Sequence, residues 1–195
     1  MLRPDRAARH DPAEVTPTPA PCDAATVDND GTGAWEQRLA DAWASLDSYA
    51  DEAEFRALID KLVGELPEDS PIGDFERASA FDSTGAPDRA IPLYRKALAN
   101  GVTGIRRRRA TIQLASSLRN LGHPEESVTL LTAELAAPSD ILDDAVPAFL
   151  ALALTDVGRE REAVSLALRA LAQHLPRYQR SLGNYARLLV EPEDA

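Results

Sequence analysis

An all-α solenoid of stacked helix-turn-helix units is the fold class that this sequence predicts, and three observations carry that reading. The chain has 195 residues and is 44% hydrophobic but only 5% aromatic, with alanine and leucine dominant, a composition suited to closely packed helices. From Ala34 onward, apolar residues recur at helical spacings of three and four. Glycines that open similar hexapeptides then return at 85, 122 and 158, separated by 37 and 36 residues.

The elements follow in order along the chain. Residues 1–33 hold Pro4, Pro12, Pro17, Pro19 and Pro21, then an Asp-Asn-Asp-Gly-Thr-Gly run, with almost no large apolar side chains. Such a stretch cannot offset its ordering entropy, so a disordered tail is expected. Trp35, Leu39, Ala42, Trp43 and Leu46 predict a helix over 34–48. Phe55, Leu58, Ile59, Leu62, Val63 and Leu66 predict a second one, ending before Pro67. This pair, 34–67, lacks a repeat signature and is either a degenerate repeat or a cap. Residues 68–195 then form a domain of three repeats with a capping helix, expected over Arg177 to Val190.

Within that domain the aligned segments are Gly85-Ala86-Pro87-Asp88-Arg89-Ala90, Gly122-His123-Pro124-Glu125-Glu126-Ser127 and Gly158-Arg159-Glu160-Arg161-Glu162-Ala163. Glycine suits the left-handed turn after one helix, and Pro87 and Pro124 suit the first turn of the next. The first unit carries Ala78, Phe81, Gly85, Ala90, Tyr94, Ala97 and Leu98. In this it resembles the tetratricopeptide repeat (TPR) family, whose unit has small and aromatic residues at these places. The second unit keeps Leu114-Ala115, Leu118, Gly122, Ser127 and Leu131 but has Glu134 where a small residue is usual. The third keeps Leu150-Ala151, Leu154, Gly158, Ala163, Ala167 and Ala170-Leu171. Ala90 and Ala97 should be buried at helix crossings. Pro92, one turn into a helix, should bend that helix without ending it.

The formal net charge of −11 opposes any general attraction to nucleic acid or to an anionic membrane. No run of about 18 apolar residues marks a spanning helix. The charged, proline-bearing stretch from Met1 to Pro12 does not read as a secretory signal, so a cytoplasmic location is expected. Arginine outnumbers lysine, which occurs only at Lys61 and Lys96, and this bias suggests a bacterial source. Cys22 stands alone, which rules out an intrachain disulfide and a cysteine zinc cluster. His10, His123 and His174 have no converging nucleophile or metal-ligand spacing, and phosphate-loop and His-Glu-x-x-His motifs are absent. Asp143-Asp144 reads as a helix start. Neither enzyme chemistry nor a cofactor is expected.

Arg106-Arg107-Arg108-Arg109 opens a first helix, where cations oppose the macrodipole, so acidic groups are expected beside them. Neighbouring repeats offer Asp143 and Asp144 on one side and Asp69 and Asp74 on the other; an acidic partner is the alternative source. On the same helix Ala110, Leu114, Leu118 and Leu121 form a packed stripe, and Arg109, Gln113, Ser116 and Asn120 form a polar one. The resemblance implies that first helices line a concave groove. It therefore assigns partner binding to Ser79, Asp82, Ser83, Arg109, Gln113, Ser116, Arg119, Asn120, Thr155 and Asp156, beside Leu152. The subclass that grips a C-terminal carboxylate needs lysine, asparagine and arginine where this chain has Phe75, Ser79, Gln113, Ala145 and Phe149, so that clamp is not expected. The expected function is binding of a protein or peptide, with an acidic segment favoured, as an adaptor or regulatory module. A self-association module is the alternative, and an enzyme with an unrecognised site is a third reading.

Overall fold

The structure, a computed structural model, describes residues 32–138 and 140–191. His10, Cys22 and nearly all of the expected tail lie outside the described residues. Nine α-helices and one short 3-10 turn account for the regular structure among the described residues, and no strand occurs there. The helices are α1 (Thr32–Ala44), α2 (Glu52–Val63), α3 (Pro71–Ser83), α4 (Pro87–Ala99), α5 (Gly104–Asn120), α6 (Pro124–Glu134), α7 (Ala145–Asp156), α8 (Glu160–Ala172) and α9 (Gln179–Leu188).

Both N-terminal helices stop short of their expected ends, for a local reason. After Ala44 the backbone tightens into three-residue bonds, Ser45 N to Ala42 O and Ser48 N to Ser45 O, and the hydroxyls of Ser45 and Ser48 donate to the same carbonyls. Serine thereby offers the chain an alternative to the helical ladder. Leu62 and Val63 likewise accept from Glu65 and Leu66, closing turns where helix was expected. Asp51 caps α2 by accepting from Ala53 N at 2.8 Å.

The turns inside the repeats are alike. Gly85, Gly122 and Gly158 have φ of 72°, 83° and 73°, a region that a side-chain-free residue enters without cost. Each lets the following N–H reach back into the last turn of the helix: Ala86 to Phe81 O, His123 to Leu118 O and Arg159 to Leu154 O, all at 2.9 Å. This bond closes the first helix of every unit. Pro87 and Pro124 then occupy the first turn of α4 and α6, and α4 runs on through Pro92.

Packing proceeds from neighbour to neighbour along the chain, with α3 against α5 and α5 against α7 as additional contacts. Three core clusters result. The first joins Trp35, Leu39, Phe55, Ile59 and Val63 to Ala80. The middle one centres on Phe75, Ala90, Tyr94, Ala97, Leu114 and Leu118. The last holds Ala115, Leu131, Val146, Leu150, Leu154 and Ala163. Ala90 and Ala97 are fully buried, the close approach their size permits. Leu121 corrects the expected packed stripe: it lies past the last residue of α5 and is 41% exposed. The final helix, α9, packs on α8 and buries only Ala186.

Candidate partner-binding groove

The ten residues singled out from sequence fall into columns set by their distance from the turn glycines. Six residues before each glycine stand Ser79, Ser116 and Leu152; three before stand Asp82, Arg119 and Thr155; two before stand Ser83, Asn120 and Asp156. Arg109 and Gln113 extend the set toward the start of α5. Contacts between α3 and α5, and between α5 and α7, bring the columns side by side.

Ser79 is 1% exposed and acts from beneath the surface. Its hydroxyl lies 3.4 Å from Gln113 Oε1, and Tyr94 OH donates toward it at 3.4 Å. Asp82 Oδ1 accepts from Ser117 at 2.8 Å and Oδ2 from Tyr94 OH at 3.3 Å. Partial burial pushes the Asp82 carboxyl above its ordinary 3.8, although the bonds from Ser117 and Tyr94 favour the charged form. Burial also raises the Tyr94 phenol well above its ordinary range, and the Asp82 charge adds to the effect. The result is a connected polar patch between α3, α4 and α5.

Arg119 pairs with Asp156 on the next repeat, its Nε 2.5 Å from Oδ2. That pair removes the free charge which the sequence suggested for Arg119. Arg109 has a different setting: its guanidinium carbon lies 5.1 Å from the centroid of Phe75, a cation–π contact that holds it half-buried. Gln113 and Ser116 are half-buried beside it, and Ser83, Asn120 and Thr155 lie nearer the surface.

The other three arginines of the cluster are engaged within the molecule. Arg106 donates to Glu36 on α1 at 2.6 and 2.9 Å and to Glu76 on α3 at 2.9 Å. Burial alone would lower its pKa, but these bonds leave it raised and the cation secure. Trp43 Nε1 adds a donor to Glu76 at 2.9 Å. Arg107 meets Glu134 at 2.5 Å, and that hydrogen bond is the main cause of its raised pKa. Arg108, with a side chain only 4% exposed, reaches Glu134 at 3.3 Å, Asp143 at 2.7 Å, Asp140 at 3.1 Å and Pro138 O at 3.1 Å.

Of the acids expected beside the cluster, Asp143 is present. Asp144 instead lies 2.9 Å from His174 Nε2, and Asp74 pairs with Lys96 at 3.1 Å. Glu36, Glu76 and Glu134 were missed by repeat arithmetic, although Glu134 was visible as a break in the small-residue pattern. Among the described residues no group of three or more His, Cys, Asp or Glu could hold a metal ion. No helix there is long and apolar enough to cross a membrane.

The family model described as tetratrico peptide repeat matches residues 71–189, more than half of the chain. The chain belongs to the tetratricopeptide repeat family. Two solved TPR-like structures resemble it, both from Podosopora anserina and described as putative kinesin light chain nearly identical TPR-like repeats. One of them, a substituted form, is 18% identical, with a TM-score of 0.60, over 83% of this chain and 85% of its own. The other is 17% identical, with a TM-score of 0.57, over 80% and 94%. At such identities the likeness speaks for the TPR fold alone. No curated protein sequence matches this TPR chain.

Proposed function

We propose that this TPR protein is an adaptor or regulatory module that binds a protein or peptide in the concave groove of α3, α5 and α7, with an acidic segment as its preferred ligand. The observation that carries this reading is Arg109. Arg106, Arg107, Arg108 and Arg119 all face carboxylates within 4 Å, whereas Arg109 rests on Phe75 and has no carboxylate that close among the described residues. A guanidinium held by its face keeps its N–H edge available for an incoming carboxylate. Gln113, Ser116, Asn120, Ser83 and Thr155 add neutral donors and acceptors for a peptide backbone, and Asp82 and Asp156 bound the acidic ligand's reach. Arg119 contributes by fixing α5 to α7. The pair 34–67 is read as the unit that covers the first face of the 68–195 repeat domain.

Replacing Arg109 with Glu tests the groove. Capture of native partners should fall about tenfold, the worth of one charge-assisted bond, with melting nearly unchanged. Undiminished capture by a stable variant would place recognition elsewhere. Self-association is the second reading, favoured by the exposure of Tyr178, Tyr185 and Leu188 around α9, at 76%, 67% and 55%. Light scattering on the purified chain separates the two, since a Tyr185→Asp, Leu188→Asp variant would dissociate any dimer formed there.

A further inference from the structure

A second cleft, of about 420 Å³, lies between α2, α3 and the start of α4. It is not part of the groove. At about 100° per residue, Arg77, Ala80 and Phe81 share one side of α3, with Thr84 just past its end, and Ser79, Asp82 and Ser83 lie on the other. Ala53, Ala57 and Ala80 line the cleft with small side chains, and Arg56, Arg77 and Arg89 line it with three guanidiniums against one carboxylate, Asp60. In a chain of net charge −11 this is a local inversion of sign.

The guanidiniums are positioned in advance. Arg56 donates to Thr84 Oγ1 at 2.8 Å, and Thr84 donates onward to Ala80 O at 2.7 Å. Arg89 lies 4.0 Å from the Phe81 centroid and Arg56 lies 6.0 Å from it, so one ring holds two cations. Arg77 is shared with Asp60 at 2.7 Å, and Arg56 faces the exposed Glu52 carboxylate at 3.6 Å. Arg89 has no carboxylate within ion-pair distance among the described residues, although it sits in the first turn of α4, where the helix dipole opposes a cation. An anion bridging these groups would meet both the unshared guanidinium edge and the favourable end of that dipole.

We propose that this cleft binds a phosphoryl group carried on a phosphorylated side chain of a partner protein. Three arginine forks can engage three phosphoryl oxygens, and the group's charge meets an excess of one guanidinium, that of Arg89, over the carboxylates of Asp60 and Glu52 that Arg77 and Arg56 already face. A carboxylate offers too few oxygens for all three forks. The cleft is also larger than a free anion of five heavy atoms needs, since one water takes only about 30 Å³. Phe81 and the alanines supply an apolar wall for the stem of the bearing side chain.

The test is a nitrogen-15 NMR titration of the full chain at constant ionic strength, with inorganic phosphate, N-acetyl-phosphoserine amide and N-acetyl-glutamate amide as probes. Saturable shifts should be confined to the Nε–H signals of Arg56, Arg77 and Arg89. The phosphoserine derivative should bind more tightly than inorganic phosphate and about tenfold more tightly than the glutamate derivative. Arg89→Gln should weaken it about tenfold, one charge-assisted bond, with melting unchanged, while Arg177→Gln leaves it unaltered. Equal binding of the glutamate derivative would make this a general acidic site and overturn the proposal. Tighter binding of inorganic phosphate than of phosphoserine would overturn the partner side chain as its source. Shifts that do not saturate, or that spread over all exposed arginines, would overturn the site itself.

Discussion

Glu134 shows how one residue can replace a rule of the repeat with a different solution. Its position takes fully buried Ala97 in the first unit, where small size permits close helix approach. In the second unit the carboxylate is equally hidden, at 4% exposure, because Arg107 and Arg108 of α5 converge on it. Glu134→Ala would restore the family's usual residue yet leave Arg108 buried with weaker compensation. It should cost about 3 kcal/mol in denaturant unfolding, and adding Arg108→Leu should recover most of that loss. A neutral single variant would mean that Asp140 and Asp143 suffice for Arg108. Asp82 supplies a second test at this scale. Its folded pKa is raised above 3.8, chiefly by burial, so the folded state holds a proton that the unfolded state has lost just above that pH. Stability from this group is therefore lost as pH rises through the folded value, and it is unaffected well below 3.8. Asp82→Asn removes that loss. Its melting temperature relative to wild type should climb with pH across the window and level off above it; a falling difference would show that Asp82 is better stabilised when charged, and a flat one that folding leaves its titration unchanged.

At the scale of the element, the repeated turn explains why the helices were so legible. A glycine at 85, 122 and 158 fixed where each first helix ends, and the apolar residue four before it, Phe81, Leu118 or Leu154, supplies the carbonyl that the turn binds. Sequence and hydrogen bonding thus report the same constraint. The boundaries that went unread, Ala44 and Val63, depend on serine hydroxyls and on three-residue bonds that no periodic pattern encodes. The groove stripe was legible as a face of α5, but its electrostatics were not, because pairing of Arg119 with Asp156 and stacking of Arg109 on Phe75 depend on inter-helix distances. The turn itself can be tested at Gly122, where φ is 83° and an added Cβ would meet nothing within 4 Å. Gly122→Ala should therefore cost only backbone strain, about 1 kcal/mol by denaturant unfolding. A loss of about 4 kcal/mol would instead imply a steric role for the turn, well beyond the strain of one left-handed residue.

Across the whole molecule, a solenoid is expected to be coupled only between adjacent units, so that its stability is close to a sum over neighbours. Most helices obey this, packing on the preceding and following ones. Arg106 does not. It joins Glu36 of α1 to α5 across 70 residues, and at the same time holds Glu76 of α3, itself tied to Trp43 of α1. One guanidinium therefore binds the N-terminal pair to the middle repeat, past the repeat between them. This bridge should make α1 open together with the repeats, although α1 forms the end of the described solenoid, where fraying would otherwise be easiest. Glu36→Gln breaks the link without stranding a buried charge, because Arg106 keeps Glu76 and Glu36 has a side chain 38% exposed. Hydrogen exchange of the α1 amides should then accelerate about fivefold, the worth of about 1 kcal/mol, while α7 and α8 keep their protection. Unchanged exchange in α1 would show that its packing on α2 already secures it. Acceleration in every helix alike would show that the molecule opens as one unit, with the bridge contributing to global stability only.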